Sequence, residues 1–403
     1  MTAQALVSII VIAVVFNVSL GAVAYCILLE RKICAWVQDR IGPNRVGPMG
    51  LFQPLADGLK LFLKEDYNPG HVDKWLFLLA PCFVIVPALV GWAIVPWGGV
   101  WDFQGFIFWE WIPFIGGTEV VAGPVNVSAV SVSIGLVYVL AVGGVGVYGV
   151  TLGGWASNNK YSFLGGVRAT AQMLSYEIPI GVILLVILLM AGTLRPDVIV
   201  QHQVETMWNI VAHPLAAVIY FTAILAEANR APFDLAEAEQ ELIGGFHTEY
   251  ASMKWALFFF AEYSHMITAS AIFAVIFLGG WHVFPFVPQA EVSGLFGVLL
   301  KFAILAGKVA LLIVFMMVVR WTLPRFRYDQ LMNLAWKILI PISGLLLVGT
   351  TLMTWKGLDQ WWWMLALNIA IFIAVWGIQP FVPKGDPTNR KLPLEGSRFS
   401  PAE

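Results

Sequence analysis

Nine separated runs of about 20 apolar residues constrain this chain more than any other feature. They lie near 5–29, 75–96, 127–150, 171–191, 208–227, 253–279, 299–320, 335–354 and 361–381. Lipid satisfies no backbone hydrogen bond, so a run of that length suits a bilayer only as a helix that keeps its bonds internal. The chain is therefore read as an all-α polytopic membrane protein with about nine transmembrane helices. They form one transmembrane domain over 1–381, followed by a polar cytoplasmic tail over 382–403. Composition agrees, since 59% of the residues are hydrophobic and 12% charged, where a soluble domain has roughly 45–50% and about 25%. No basic residue precedes the first run, which is also too long for a secretory leader, so it is expected to remain in the mature protein.

Orientation follows from Lys and Arg, because basic loops are retained on the cytoplasmic side. With the N-terminus outside, 19 of the 23 basic residues fall on the inner side, mostly in the loops 30–74, 151–170, 228–252 and 321–334 and in the tail. A multi-pass protein of the bacterial plasma (inner) membrane is expected. The outer loop from Trp97 to Asn126 has no basic residue and carries Trp97, Trp101, Trp109 and Trp111, the composition of an interfacial aromatic belt. With no basic stripe, nucleic acid is excluded as a partner. Cys26, Cys34 and Cys82 form no CxxC pair, so the chain alone holds neither a four-thiolate cluster nor a disulfide framework. Any redox centre must then sit in a partner.

Two motifs are discounted. Gly144-x-Gly146-x-x-Gly149 matches a dinucleotide fingerprint, but it lies within an apolar run with no βαβ context and reads as close helix packing. Glu262-Tyr-Ser-His265 resembles half of a di-iron site and has no second copy. His213, His265 and His282 stand singly and read as packed or interfacial residues.

Chemistry concentrates in four inner segments. Residues 30–65 leave the first span, turn through Gly42-Pro43-Asn44 and Gly47-Pro48, then set Leu51, Phe52, Leu55, Leu59 and Phe62 opposite Asp57, Lys60 and Lys64. That pattern predicts an amphipathic in-plane helix, with Pro54 in its first turn. The second segment, 165–181, carries Glu177 about six residues into its span, or ~9 Å at 1.5 Å per residue. The third, 227–266, holds Glu227, Asp234, Glu237, Glu239, Glu241, Glu249 and Glu262 against Arg230 and Lys254. Glu262 is about nine residues into its span, ~14 Å deep. Carboxylates so placed are costly in lipid, and crowded, desolvated carboxylates exchange protons near neutral pH, so the line reads as a proton relay, with a cytoplasmic acidic patch that docks a basic partner as the alternative for Glu241 and Glu249. Lys308 is the other costly charge, and one of these acids is its expected partner. The fourth segment, 320–341, gathers Arg320, Arg325 and Arg327 around Pro324. These guanidiniums suit lipid phosphates or the polar mouth of a cavity for an amphipathic ligand.

In these segments the strings GPNRVGP, QPLADGLKL, EANRAPFDLAEAEQEL and PRFRYDQLM closely resemble the quinone-site membrane subunit of proton-pumping NADH:quinone oxidoreductase, respiratory complex I. The resemblance runs from about Glu30 to Pro341. It implies a subunit joining the hydrophilic arm, with its quinone-site subunits, to small membrane subunits beside the antiporter-like pumps. Quinone is then the substrate, while FMN and iron–sulfur clusters belong to partner subunits and no cofactor to this chain. Carried over by motif, Arg31, Arg40, Ala56, Asp57, Phe233, Arg320 and Arg325 surround the quinone chamber. Glu177, Glu227, Asp234, Glu237, Glu239, Glu241 and Glu262, with Lys308, belong to the proton path. Two features depart from the family pattern: Ala228 stands where many relatives have Thr, and the third run offers no carboxylate to extend the acidic line. The implied mechanism couples quinone reduction, which consumes two protons, to a shift of the Glu227–Glu262 network. Alternatives are the homologous membrane subunit of a hydrogenase or ferredoxin-linked oxidoreductase, a proton-coupled secondary transporter, against which the absence of an internal repeat counts, and a pure scaffold.

Overall fold

The computed structural model describes residues 3–103, 123–234, 244–284 and 294–378. The helices α1 (Ala3–Val37), α2 (Gln53–Leu63), α3 (Lys74–Val90), α4 (Gly135–Ala156) and α5 (Lys160–Ala191) come first. Then follow α6 (Pro196–Glu205), α7 (Asn209–Ala212), α8 (Pro214–Glu227), α9 (Ser252–Phe277), α10 (Gly294–Thr322), α11 (Tyr328–Leu334), α12 (Ile340–Trp355) and α13 (Trp361–Ile378). Among the described residues, seven helices are long and apolar enough to cross a bilayer, and two shorter ones, Pro214–Glu227 and Trp361–Gly377, lie in the remaining apolar runs. A short ribbon pairs β1 (Val100–Phe103) antiparallel with β2 (Gly123–Asn126).

Boundaries depart from the sequence reading where a hydrogen bond or a proline decides. The third run was expected from 127, but its helix starts at Gly135. The residues before it continue the ribbon instead, with Val127 N–H donating to Gly99 O at 2.8 Å. The fifth run is interrupted because Pro214 has no N–H to extend a helix and sits in the first turn of α8. Loop 30–74 begins later than expected: α1 runs past Glu30 to Val37 and ends in a turn where Asp39 takes φ 52° and Arg40 N–H donates to Ala35 O at 2.9 Å. Loop 151–170 shrinks to a three-residue link between α4 and α5. Trp97 is no interfacial anchor: it is buried and stacks on Trp92, with ring centroids 5.6 Å apart. Trp109 and Trp111 lie outside the described residues.

At the centre stands α9, in contact with α1, α3, α8 and α10 and buried almost continuously from Met266 to Phe277. Its last carbonyls would be orphans inside the protein. Gln203 donates to Val275 O at 2.8 Å, Asn209 to Ile276 O at 2.7 Å, and Lys308 Nζ to Leu278 O and His282 O. Among the described residues this departs from the expectation for Lys308: its amine lies 4.2 Å over the Trp208 ring and meets backbone carbonyls, not a carboxylate. Within the Gly144–Gly149 motif it is Gly149 that packs helices, since a Cβ there would fall 2.3 Å from Val84 Cγ2 and 2.9 Å from Ala80 O on α3. At the other end of α9, Ser252 Oγ donates to Leu61 O and Lys64 O, both at 2.9 Å, and fixes α2 against it.

Candidate functional site

The in-plane helix forms as its pattern predicts. Pro54 opens it, and Leu55, Leu59 and Phe62 are exposed on one face. Its other face turns Asp57 toward α1, where Arg31 Nη1 donates to Asp57 Oδ2 at 2.6 Å and Gln53 donates to Oδ1 at 3.1 Å. Between α1, α2, α9 and the start of the chain after α10 lies a cavity of about 780 Å³, within the ~300–1,000 Å³ of small-molecule sites. Leu28, Trp255, Phe259 and Phe260 give it apolar wall. Six basic side chains, Arg31, Arg40, Lys60, Arg230, Arg320 and Arg325, face four acidic ones, Glu30, Asp57, Asp234 and Glu262.

Glu30 is the hub of the polar floor. It is buried and accepts from Arg230 Nη1 at 3.1 Å, from Arg320 Nη1 and from Tyr263 OH at 2.6 Å. Arg230 continues to Glu262, with Nε 2.7 Å from Oε1, and lies 4.0 Å over the Tyr263 ring. Burial works against its charge, but Glu262, Tyr263 and Glu30 outweigh that cost and hold the guanidinium protonated. Gln172 on α5 fixes the segment that carries Arg230: its amide donates to Ala226 O at 2.8 Å and Phe233 O at 2.9 Å.

Glu262 also lines a second cavity of about 80 Å³ together with Asn229, Glu227, His265, Gly143 and Gly146. His265 Nε2 lies 3.5 Å from Glu227 Oε1. Glycines on α4 let the next carboxylates approach, for a Cβ at Gly143 would meet Glu227 Oε1 at 3.4 Å and one at Gly144 would meet Glu177 Oε1 at 3.1 Å. The third run thus supplies room for carboxylates in place of a carboxylate of its own.

Of the residues singled out for the chamber, Arg31, Arg40, Asp57, Arg320 and Arg325 line the large cavity. Ala56 is half-buried on α2 beside Asp57. Phe233 is buried behind the wall, stacked on Phe326 with centroids 5.6 Å apart. Asp234, read with the proton path, lines the large cavity and accepts from Arg325 Nη2 at 3.1 Å. Glu177, Glu227 and Glu262 follow one another along α5, α8 and α9, while Lys308 stands at the far end of α9, ~24 Å along the helix from Glu262. Glu237, Glu239 and Glu241 lie outside the described residues. Sequence reasoning missed Glu30, Arg230, Tyr263 and His265 as parts of the site. An acid at the polar end of an apolar run, directly before Arg31-Lys32, was the available signal for Glu30.

The fold and the site define a polytopic helical membrane protein in which a large amphipathic cavity joins an internal series of carboxylates. The NADH dehydrogenase family model matches residues 9–351, and the chain belongs to that family. It is 45% identical over 341 residues to the NADH-quinone oxidoreductase subunit designated H 1 in Cytophaga hutchinsonii, covering 83% of this chain and 92% of the relative. It is 46% identical over 346 residues to the NADH-quinone oxidoreductase subunit designated H in Leptospira biflexa, covering 85% and 93%. The one designated H 1 in Geobacter sulfurreducens is 44% identical over 334 residues, covering 82% and 90%.

Proposed function

We propose that this chain is the quinone-chamber and coupling subunit of a proton-translocating NADH:quinone oxidoreductase in a bacterial inner membrane. The observation that carries the reading is the sharing of Glu262 by the two cavities, which joins a ligand-sized chamber to Glu227. A quinone has an apolar tail and a polar head, and the aromatic wall and charged floor match both parts. Electrons come from FMN and iron–sulfur clusters in the hydrophilic-arm partners, and reduction to quinol takes up two protons. The charge change is felt by the Glu30–Arg230–Arg320 cluster, because opposite charges in contact within a partly desolvated site respond strongly to a new one. From Arg230 the response passes to Glu262, and through Glu227 and Glu177 toward pump subunits beside the chain. Asp234, Glu237, Glu239 and Glu241 join this acidic route from the loop between α8 and α9, and Lys308 tests how far it extends along α9.

The experiment is NADH-driven quinone reduction by the assembly purified in mild detergent through a tag on the tail. Activity travelling with the tag and stopped by rotenone- or piericidin-type inhibitors is the expected result. A flavin and iron–sulfur assembly that ignores NADH overturns the donor assignment, and a lone polypeptide from gently treated membranes overturns the reading altogether.

A further inference from the structure

His265 has no place in the acidic line as read from the sequence, yet its geometry puts it inside that line. It lies three residues after Glu262 on α9, so both side chains project from the same helix face. Its Nε2 is buried and 3.5 Å from Glu227 Oε1, just beyond ordinary hydrogen-bond length. Both carboxylates and the imidazole line the same 80 Å³ cavity, which is large enough for water. Glu262 is held by Arg230, whose Nε is 2.7 Å away, so its carboxylate is anchored on the Arg230 side of the gap. Among the described residues, the titratable groups that line this cavity with the imidazole are Glu262 on its own helix and Glu227 at the end of α8, beside the polar Asn229 and Thr268.

We propose that His265 is a proton-carrying residue between Glu262 and Glu227, so that a proton passes between them through the imidazole rather than through water alone. The inference rests on the proton-path reading of Glu262 and Glu227. The step balances without a further reactant. The neutral ring accepts one proton from the Glu262 side, by way of water in the cavity, and releases another from Nε2 to the Glu227 carboxylate. The ring is neutral again, Glu262 has lost one proton and Glu227 has gained one. A ring used only for packing would need no titratable nitrogen at this place, and a non-titrating side chain of similar size would serve equally.

The test uses the whole assembly reconstituted in vesicles, with His265→Asn, His265→Gln and Glu227→Gln beside the parent. Readouts are NADH:quinone turnover from pH 5.5 to 8.5, apparent quinone KM, protons translocated per NADH, and NADH:ferricyanide activity as the measure of assembly. The expected result is a loss of coupled turnover of about tenfold in His265→Asn and His265→Gln, with a changed pH profile. Quinone KM and ferricyanide activity should stay within about twofold of the parent. Parental turnover, pH profile and proton yield in either His265 variant, with Glu227→Gln defective, overturn the proposal and leave the path standing. Parental behaviour in all three variants overturns the path itself. If one histidine variant fails to assemble, the other decides, and loss of assembly in both shows a structural role and overturns the proposal.

Discussion

Replacing Glu30 by glutamine isolates the charge at the floor of the cavity, because the amide keeps the volume and one acceptor. In the parent, Glu30 is ion-paired with two guanidiniums, with Arg230 almost fully buried and Arg320 about one-third exposed. Breaking a buried pair by removing one partner costs roughly 3–5 kcal/mol, since the remaining charge loses its compensation. Part of this is regained here, because Arg230 retains Glu262 and Arg320 has access to solvent, which discounts its share. The net local cost is then about 3 kcal/mol, or roughly a hundredfold more frequent opening of the contacts that join α1, the Arg230 segment and the end of α10. Hydrogen–deuterium exchange of segments 24–37 and 226–234 in the detergent-purified assembly reads that change directly, and quinone turnover should fall with it. Arg320→Gln provides the control. The double variant removes charge of both signs, so its effect should fall at least ~1 kcal/mol short of the sum of the single effects. Parental exchange in Glu30→Gln, or strict additivity in the double variant, would refute the reasoning.

Four further outcomes follow from the geometry. Asp57→Asn breaks an ion pair with an exposed Arg31, so stability should change by less than ~1 kcal/mol while the apparent quinone KM rises severalfold, as steady-state kinetics would show. Gly144→Ala places a methyl group 3.1 Å from Glu177 Oε1 and should slow coupled turnover with assembly intact, whereas Gly149→Ala meets the α3 backbone and should abolish assembly on native gels. Lys308→Met removes the donor to Leu278 O and His282 O, so the assembly should inactivate at lower temperature; an unchanged proton yield per NADH would place Lys308 off the proton path. Burial pushes the His247 imidazole down to about 4, below its ordinary value near 6.5. Its contribution to stability is therefore present above pH ~6.5 and lost as pH falls toward 4, and His247→Gln should flatten that limb of the thermal-inactivation profile.

The apolar runs alone determined the class of protein, all-α and membrane-spanning, because a bilayer allows a chain of this composition almost no other backbone arrangement. The amphipathic helix, the glycine packing motif and five of the residues that line the large cavity were equally legible, since each depends on local periodicity or on a specific motif. Pairing across the chain was settled at the tertiary level. Glu30 and Arg230 are 200 residues apart in sequence, and no local pattern announces that they meet. Lys308 reads as an intramembrane charge in need of an acid until α9 is seen to end beside it with carbonyls to satisfy. His265 reads as a packed residue until α8 brings Glu227 within 3.5 Å. The order of residues established which groups are too costly to leave in lipid. Their partners were chosen by the packing of α1, α5, α8, α9 and α10, because the balance between desolvation and pairing is struck over a few ångströms.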